Sequence, residues 1–205
     1  MSTPPDALAN DQKRMLRAAL VYAAHRNPVL GVWQREARGL VPPRLAPTTH
    51  QMAHRVLRGR GTYAQQQAVR VTLMAYATAQ SMRIDAYRSP RVEPLHGLDI
   101  GQALRTISAK KPLEVGEDPV GTMVARFDAL WRAVHAYHGD PERIQKTVTK
   151  LCQCDSFYGG GLSYVRLAND LSVVMGDDPE ESKAITQRWM QNRLGLHGFA
   201  GRSAA

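Results

Sequence analysis

The stretch from Thr62 to about Ile84 carries Val69, Val71, Leu73, Met74 and Tyr76, so it is apolar on nearly every side of a helical repeat. A helix without a polar face has no place on a surface and has to be enclosed by other elements. The remaining segments read as the amphipathic helices that could enclose it. Asn10, a plausible N-cap, opens a helix to His25 with Met15, Leu16, Ala19, Leu20 and Ala23 in its apolar stripe. Pro28 sits in the first turn of a second, which stops at Gly39 with Val32 and Trp33 inward. A third is capped by Thr48 or Thr49 and stopped by Gly59. Downstream, Asp99 caps a helix through Ala109. Pro119 to Tyr137 repeats Val120, Val124, Phe127, Trp131 and Val134 at helical spacing. Asp140 and Pro141 open a helix with Ile144, Val148 and Leu151 inward. Ser163 caps another with Tyr164, Leu167, Leu171 and Val174 on one face, and Asp178 and Pro179 open the last, with Ile185 and Trp189 inward. No alternating β-branched run occurs, so the expected fold is all-α: two small antiparallel helical bundles joined by a short linker.

The chain of 205 residues is long enough to bury a real core. Residues 85–98 hold two prolines and no period, and they separate a basic bundle at 10–84 from a second bundle at 99–194. The first nine residues and the tail 195–205 are small and polar and are expected to be disordered. No stretch is apolar enough to span a membrane, and MSTPPDALAND does not read as a secretory signal. The two cysteines, Cys152 and Cys154, are too close to staple a fold, which suits a reducing cytoplasm.

Several fragments resemble reactive sites without completing one. His50 and His54 have metal-ligand spacing, but Gln51 stands where a general base would. Cys152 and Cys154 point to different faces of one helix: one is expected in the core, the other partly exposed. Glu93 and His96 lie in the proline-bearing linker, off any helix. Ser108 and Lys111 lack the companion motifs of a serine acyltransferase. Asp177, Asp178, Glu180 and Glu181 surround a helix start, where capping accounts for acids. The Gly159–Gly161 run has no following Lys-Ser/Thr to grip a phosphate. The expectation is a protein that is not an enzyme and carries no metal and no cofactor.

What remains is charge. The first 90 residues hold 13 Lys and Arg against 4 Asp and Glu, whereas residues 91–205 hold 14 of each. All of the net +9 therefore sits in one half, and such a surface attracts polyanions. Twelve of those 13 cations are Arg, suited to bidentate phosphate contacts. Arg35 and Arg38 are neighbours on one helix, Arg44 follows in a loop, Arg55 and Arg58 are neighbours on the next helix, and Arg60 lies in RGRG. In the second half Arg143, Lys146 and Lys150 form a stripe, and Arg132 stands beside His135. A nucleic acid is the expected partner. A free-standing helical regulator reading DNA through the Thr48–Gly59 helix is the alternative. A structural adaptor for an acidic protein is a third class, and it would bind single-stranded DNA without salt dependence.

The order of segments also resembles a known family. GLDIGQALRTI (97–107), VARFDALWRAV (124–134), RIQKTVTKLCQ (143–153), LSYVRLANDLSVVMG (162–176) and ITQRWMQNRL (185–194) follow in sequence. WQREARGL and HRVLRGRGTYAQQQAVRVTLMAYATA precede them. Together they are similar to the small subunit of the type I-E CRISPR surveillance complex Cascade, the CasB family. The resemblance implies a non-catalytic subunit that packs beside a second copy of itself, the backbone and large subunits, CRISPR RNA and the target and non-target DNA strands, and that helps hold the R-loop. It carries over Arg38, Arg126, Arg132 and Lys146 as nucleic-acid contacts. Ala125 and Gln145 depart from the family's arginine pairs, and Asp155–Gly161 lengthens one connector.

Overall fold

The computed structural model describes residues 6–40, 46–85, 97–108, 119–135, 140–159 and 161–195. Among them are nine helices: α1 (Asn10–Ala24), α2 (Asn27–Ala37), α3 (Thr49–Val56), α4 (Tyr63–Asp85), α5 (Ile100–Ser108), α6 (Pro119–His135), α7 (Pro141–Tyr158), α8 (Tyr164–Val174) and α9 (Pro179–Leu194). No strand occurs among the described residues. The only β-type pairing there is an isolated parallel bridge, Leu98 to Leu162. The fold is all-α.

Starts and stops follow local chemistry. Three helices open on capping boxes with Gln at the third position: Thr48 with Gln51, Thr62 with Gln65, and Asp99 with Gln102. In each, the cap side chain accepts from the Gln backbone N–H while the Gln side-chain Oε1 accepts from the cap's own backbone N–H, which satisfies two donors at the helix end. Ser163, Asp140 and Asp178 cap α8, α7 and α9. Asn10 is the first residue of α1 rather than its cap; Ala9 takes the cap position, and Gln12 reaches back to its N–H at 2.8 Å.

α4 is the centre. Every residue from Val71 to Gln80 is buried, as the all-round apolar pattern requires. α4 packs on α2 and α3 on one side and on α7 and α8 on another. Tyr76 meets Tyr164 of α8 edge to face at 5.0 Å, and Ser156 of α7 donates to the Ala79 carbonyl at 3.1 Å. The buried apolar side chains form one contiguous cluster from Leu8 to Trp189. Most of the expected linker, residues 86–96, lies outside the described set.

Two core expectations need correction. Met15 is exposed, because α1 buries Leu16, Ala19, Leu20 and Ala23 and leaves Met15 at the edge of that stripe. The opening segment is ordered from Asp6: Leu8 is 1% exposed, and Gln65 donates to the Asp6 and Ala7 carbonyls. One large apolar side chain and three backbone hydrogen bonds, counting that from Leu8 N–H to Asn169, dock what composition alone marks as a free end. Val120 has no described side chain, and the tail beyond Gly195 lies outside the described residues.

Candidate nucleic-acid interface

Five of the twelve arginines of the first half, Arg35, Arg38, Arg55, Arg58 and Arg60, stand at or just beyond the C-terminal ends of α2 and α3, where cations complement the helix dipole. Arg35 and Arg38 are exposed on the last turn of α2. Glu36 lies between them in sequence, and its carboxylate accepts the Thr49 N–H at 2.7 Å at the start of α3. Trp33 Nε1 donates to the Pro47 carbonyl at 2.9 Å and fixes the return of the connection. Arg44 lies outside the described residues.

At the end of α3 the backbone turns sharply. Arg58 and Gly59 are both left-handed, with φ of 52° and 70°. The Gly59 N–H reaches back to the His54 carbonyl at 3.0 Å, and the His54 imidazole fills the space a Cβ at Gly59 would need. A non-glycine residue in this region costs roughly 1 kcal/mol or more. The turn displays Arg55, Arg58 and Arg60, all exposed. Arg58 pairs with Asp11 of α1 at 3.4 Å, in water on both sides, so that pair adds little stability. Residues 38–48 separate α2 from α3, much longer than the short turn of a helix-turn-helix reader.

In the second half the candidate cations differ in surroundings. Arg126 is half-buried on α6, with its charge near the Cys154 thiol of α7. Burial pushes that thiol's pKa up, and the Arg126 charge pulls part of the shift back. Cys152 is buried and Cys154 intermediate, as expected. At the start of α7, Arg143 pairs with the N-cap Asp140 at 3.3 Å and Lys146 with Glu142 at 4.0 Å, both pairs exposed to water. Lys150 is exposed. Arg132 is exposed on α6, next to His135, whose ring rests on Trp131 at 4.3 Å between centroids and meets Thr186 Oγ1 at 3.1 Å. Partial burial lowers the His135 pKa.

A third group of cations was not among the candidates. Asp99 is fully buried at the start of α5; its Oδ1 accepts the Gln102 N–H at 2.9 Å, and its Oδ2 faces Arg166 at 3.2 Å, Arg188 at 3.8 Å and the Asn192 amide. Asp170, nearly as buried, accepts from Arg188 and from Trp189 Nε1, the latter at 2.8 Å. Arg166 also donates to Gln102 at 3.2 Å. The Leu98–Leu162 bridge, with N–H bonds of 3.1 and 2.9 Å, holds the entrances of α5 and α8 together beside this network. In front of it lies a cleft of about 570 Å³ whose lining includes Lys13, Gln102, Arg166, Asn169, Asp170 and Arg188. The signal was present in the sequence: Asp170 falls among Leu167, Leu171 and Val174 on an inward face, where an acid demands cationic partners.

Among the described residues no group of three or more His, Cys, Asp or Glu could hold a metal ion. No helix of the described residues is long and apolar enough to cross a membrane. No protein-family model, curated protein or solved structure matches the chain.

Proposed function

We propose that this chain is the non-catalytic small subunit of a CRISPR RNA-guided type I-E Cascade surveillance complex. In that role it binds nucleic-acid backbone in the cytoplasm and stabilises the R-loop, meeting CRISPR RNA, target DNA and the displaced strand beside the backbone and large subunits and a second copy of itself. The observation that carries the nucleic-acid reading is the set of exposed arginines ending α2 and α3, in a half with few acids. The family resemblance of the segment order supplies the complex. Guide pairing already provides sequence specificity in such a complex, so a subunit needs only the phosphates, and a few contacts tip a nearly balanced R-loop.

The test has two arms. Co-expression with the remaining Cascade subunits and a CRISPR array is expected to recover this chain with CRISPR RNA. The triple reversal Arg55→Glu, Arg58→Glu and Arg60→Glu is expected to keep its helical circular dichroism and to shorten R-loop lifetime. Its affinity for single-stranded DNA should fall about tenfold or more, with a shallower salt dependence. Unchanged R-loop stability in that variant refutes the interface, and absence from the purified complex refutes the role.

A further inference from the structure

We propose that the cleft between α1, α5, α8 and α9 is a binding site for one phosphate group, the oxyanion being met by Lys13, Arg166 and Arg188. The inference rests on the proposed function for the source of that phosphate, a nucleic-acid strand, and a free nucleotide offers the same chemistry. Three cations line the volume together with one carboxylate, Asp170, while Asp99 lies behind the wall, and both carboxylates are already paired with arginines. Asp99, with none of its side chain exposed, is turned into Arg166, Asn192 and the α5 amide; Asp170, 3% exposed, is turned into Arg188 and the Trp189 indole. Both arginines line the cleft, and their side chains as a whole are 37% and 36% exposed. They are held from the rear in fixed orientations, so little rotamer freedom remains to be lost when an anion arrives.

The other polar walls also donate. Asn169 Oδ1 already accepts the Leu8 N–H, and Gln102 Oε1 accepts from Asp99 and Arg166. What those two amides have left to offer is N–H. Donors from four helices therefore converge on one volume, more than the two oxygens of a carboxylate take up and well matched to a tetrahedral phosphate. Leu98 and Val165 add an apolar wall for the attached sugar or base, and about 570 Å³ is room for a single nucleotide unit.

The experiment uses the full chain with fluorescein-labelled (dT)20 in a salt titration, and thymidine monophosphate in thermal-shift and calorimetric titrations. Lys13→Glu leaves the Asp99–Arg166–Arg188–Asp170 network intact, so its folding is not in question; Arg166→Gln is the second variant, kept only if its melting temperature allows measurement. The expected result is about tenfold weaker (dT)20 binding by Lys13→Glu and a log–log salt slope smaller by about 0.7, the value for one single-strand phosphate contact. If (dT)20 does not bind but the mononucleotide stabilises the wild type and not Lys13→Glu, the site stands with a free nucleotide as its ligand, and the nucleic-acid role falls. If (dT)20 binds Lys13→Glu as it binds the wild type while the Arg55/Arg58/Arg60 reversal loses it, the cleft proposal is overturned and the role survives. Binding of neither ligand overturns both.

Discussion

Gly101 is where the packing of α5 against α9 is closest. A Cβ built there overlaps the Trp189 carbonyl oxygen and falls 3.0 Å from the Arg193 nitrogen, both backbone atoms that cannot rotate aside. Gly101→Ala therefore has to push two helices apart. α5 buries Ile100, Ala103, Leu104 and Ile107, and α9 buries Trp189 and carries Asn192 to Asp99. The separation loosens all of these contacts. Alanine favours a helix by about 1 kcal/mol over glycine. Overpacking costs about 1–3 kcal/mol, and a backbone clash belongs at or above the top of that range. The net expectation is a loss of about 2 kcal/mol, which lowers the melting temperature of a chain this size by about 4–8 °C. Gly31 in α2 provides the control, since a Cβ there meets nothing within 4 Å. Gly31→Ala should be neutral or stabilise by up to about 1 kcal/mol. Urea denaturation followed by circular dichroism measures both. A Gly101→Ala protein as stable as Gly31→Ala would show that α5 and α9 do not pack at this distance.

Two further outcomes follow from the buried polar groups. Asp170→Ala leaves the Trp189 indole without its acceptor, while Arg188, 36% exposed, still faces Asp99 at 3.8 Å; a loss of about 1–3 kcal/mol is expected in urea melts followed by tryptophan fluorescence, and no measurable loss would contradict these contacts. Because burial holds the His135 pKa below its ordinary 6.5, the folded state favours the neutral ring. Its contribution to stability is complete above about pH 6.5 and declines as the pH falls through the lower folded value. An NMR titration of the His135 ring should give a midpoint below 6.5, and a midpoint above it would contradict the packing against Trp131 and Thr186.

Local signals in the sequence located the helices well because caps and breakers act over a few residues. Thr48, Ser163, Asp140 and Asp178 cap where their side chains predict, and Gly159 and Gly195 end helices in the left-handed conformation. The burial of α4 was legible for the same reason: its lack of a polar face is written in consecutive residues. What could not be read was pairing at long range. Nothing local joins Asp99 to Arg166, Arg188 and Asn192, so Asp99 was legible as a cap and not as the buried partner of two arginines. On α7 the i, i+3 and i, i+4 spacings that pair Arg143 with Asp140 and Lys146 with Glu142 are local and legible in the sequence. The basic end of α3 was legible as a set of residues, but the left-handed Arg58 was not, since the turn that requires it is fixed by His54 and Gly59 together.

The enclosure of α4 has a consequence for synthesis. On a ribosome, α4 is complete at Asp85, yet two of the helices that cover it, α7 and α8, end only at Tyr158 and Val174. At about 5–20 residues per second the intervening chain takes on the order of 5–20 s to emerge. For that interval a helix buried without a break from Val71 to Gln80 lacks part of its cover. The nascent chain should therefore be a client for holding chaperones until α8 appears, and fragments ending near residue 98 should aggregate instead of forming a separate basic unit.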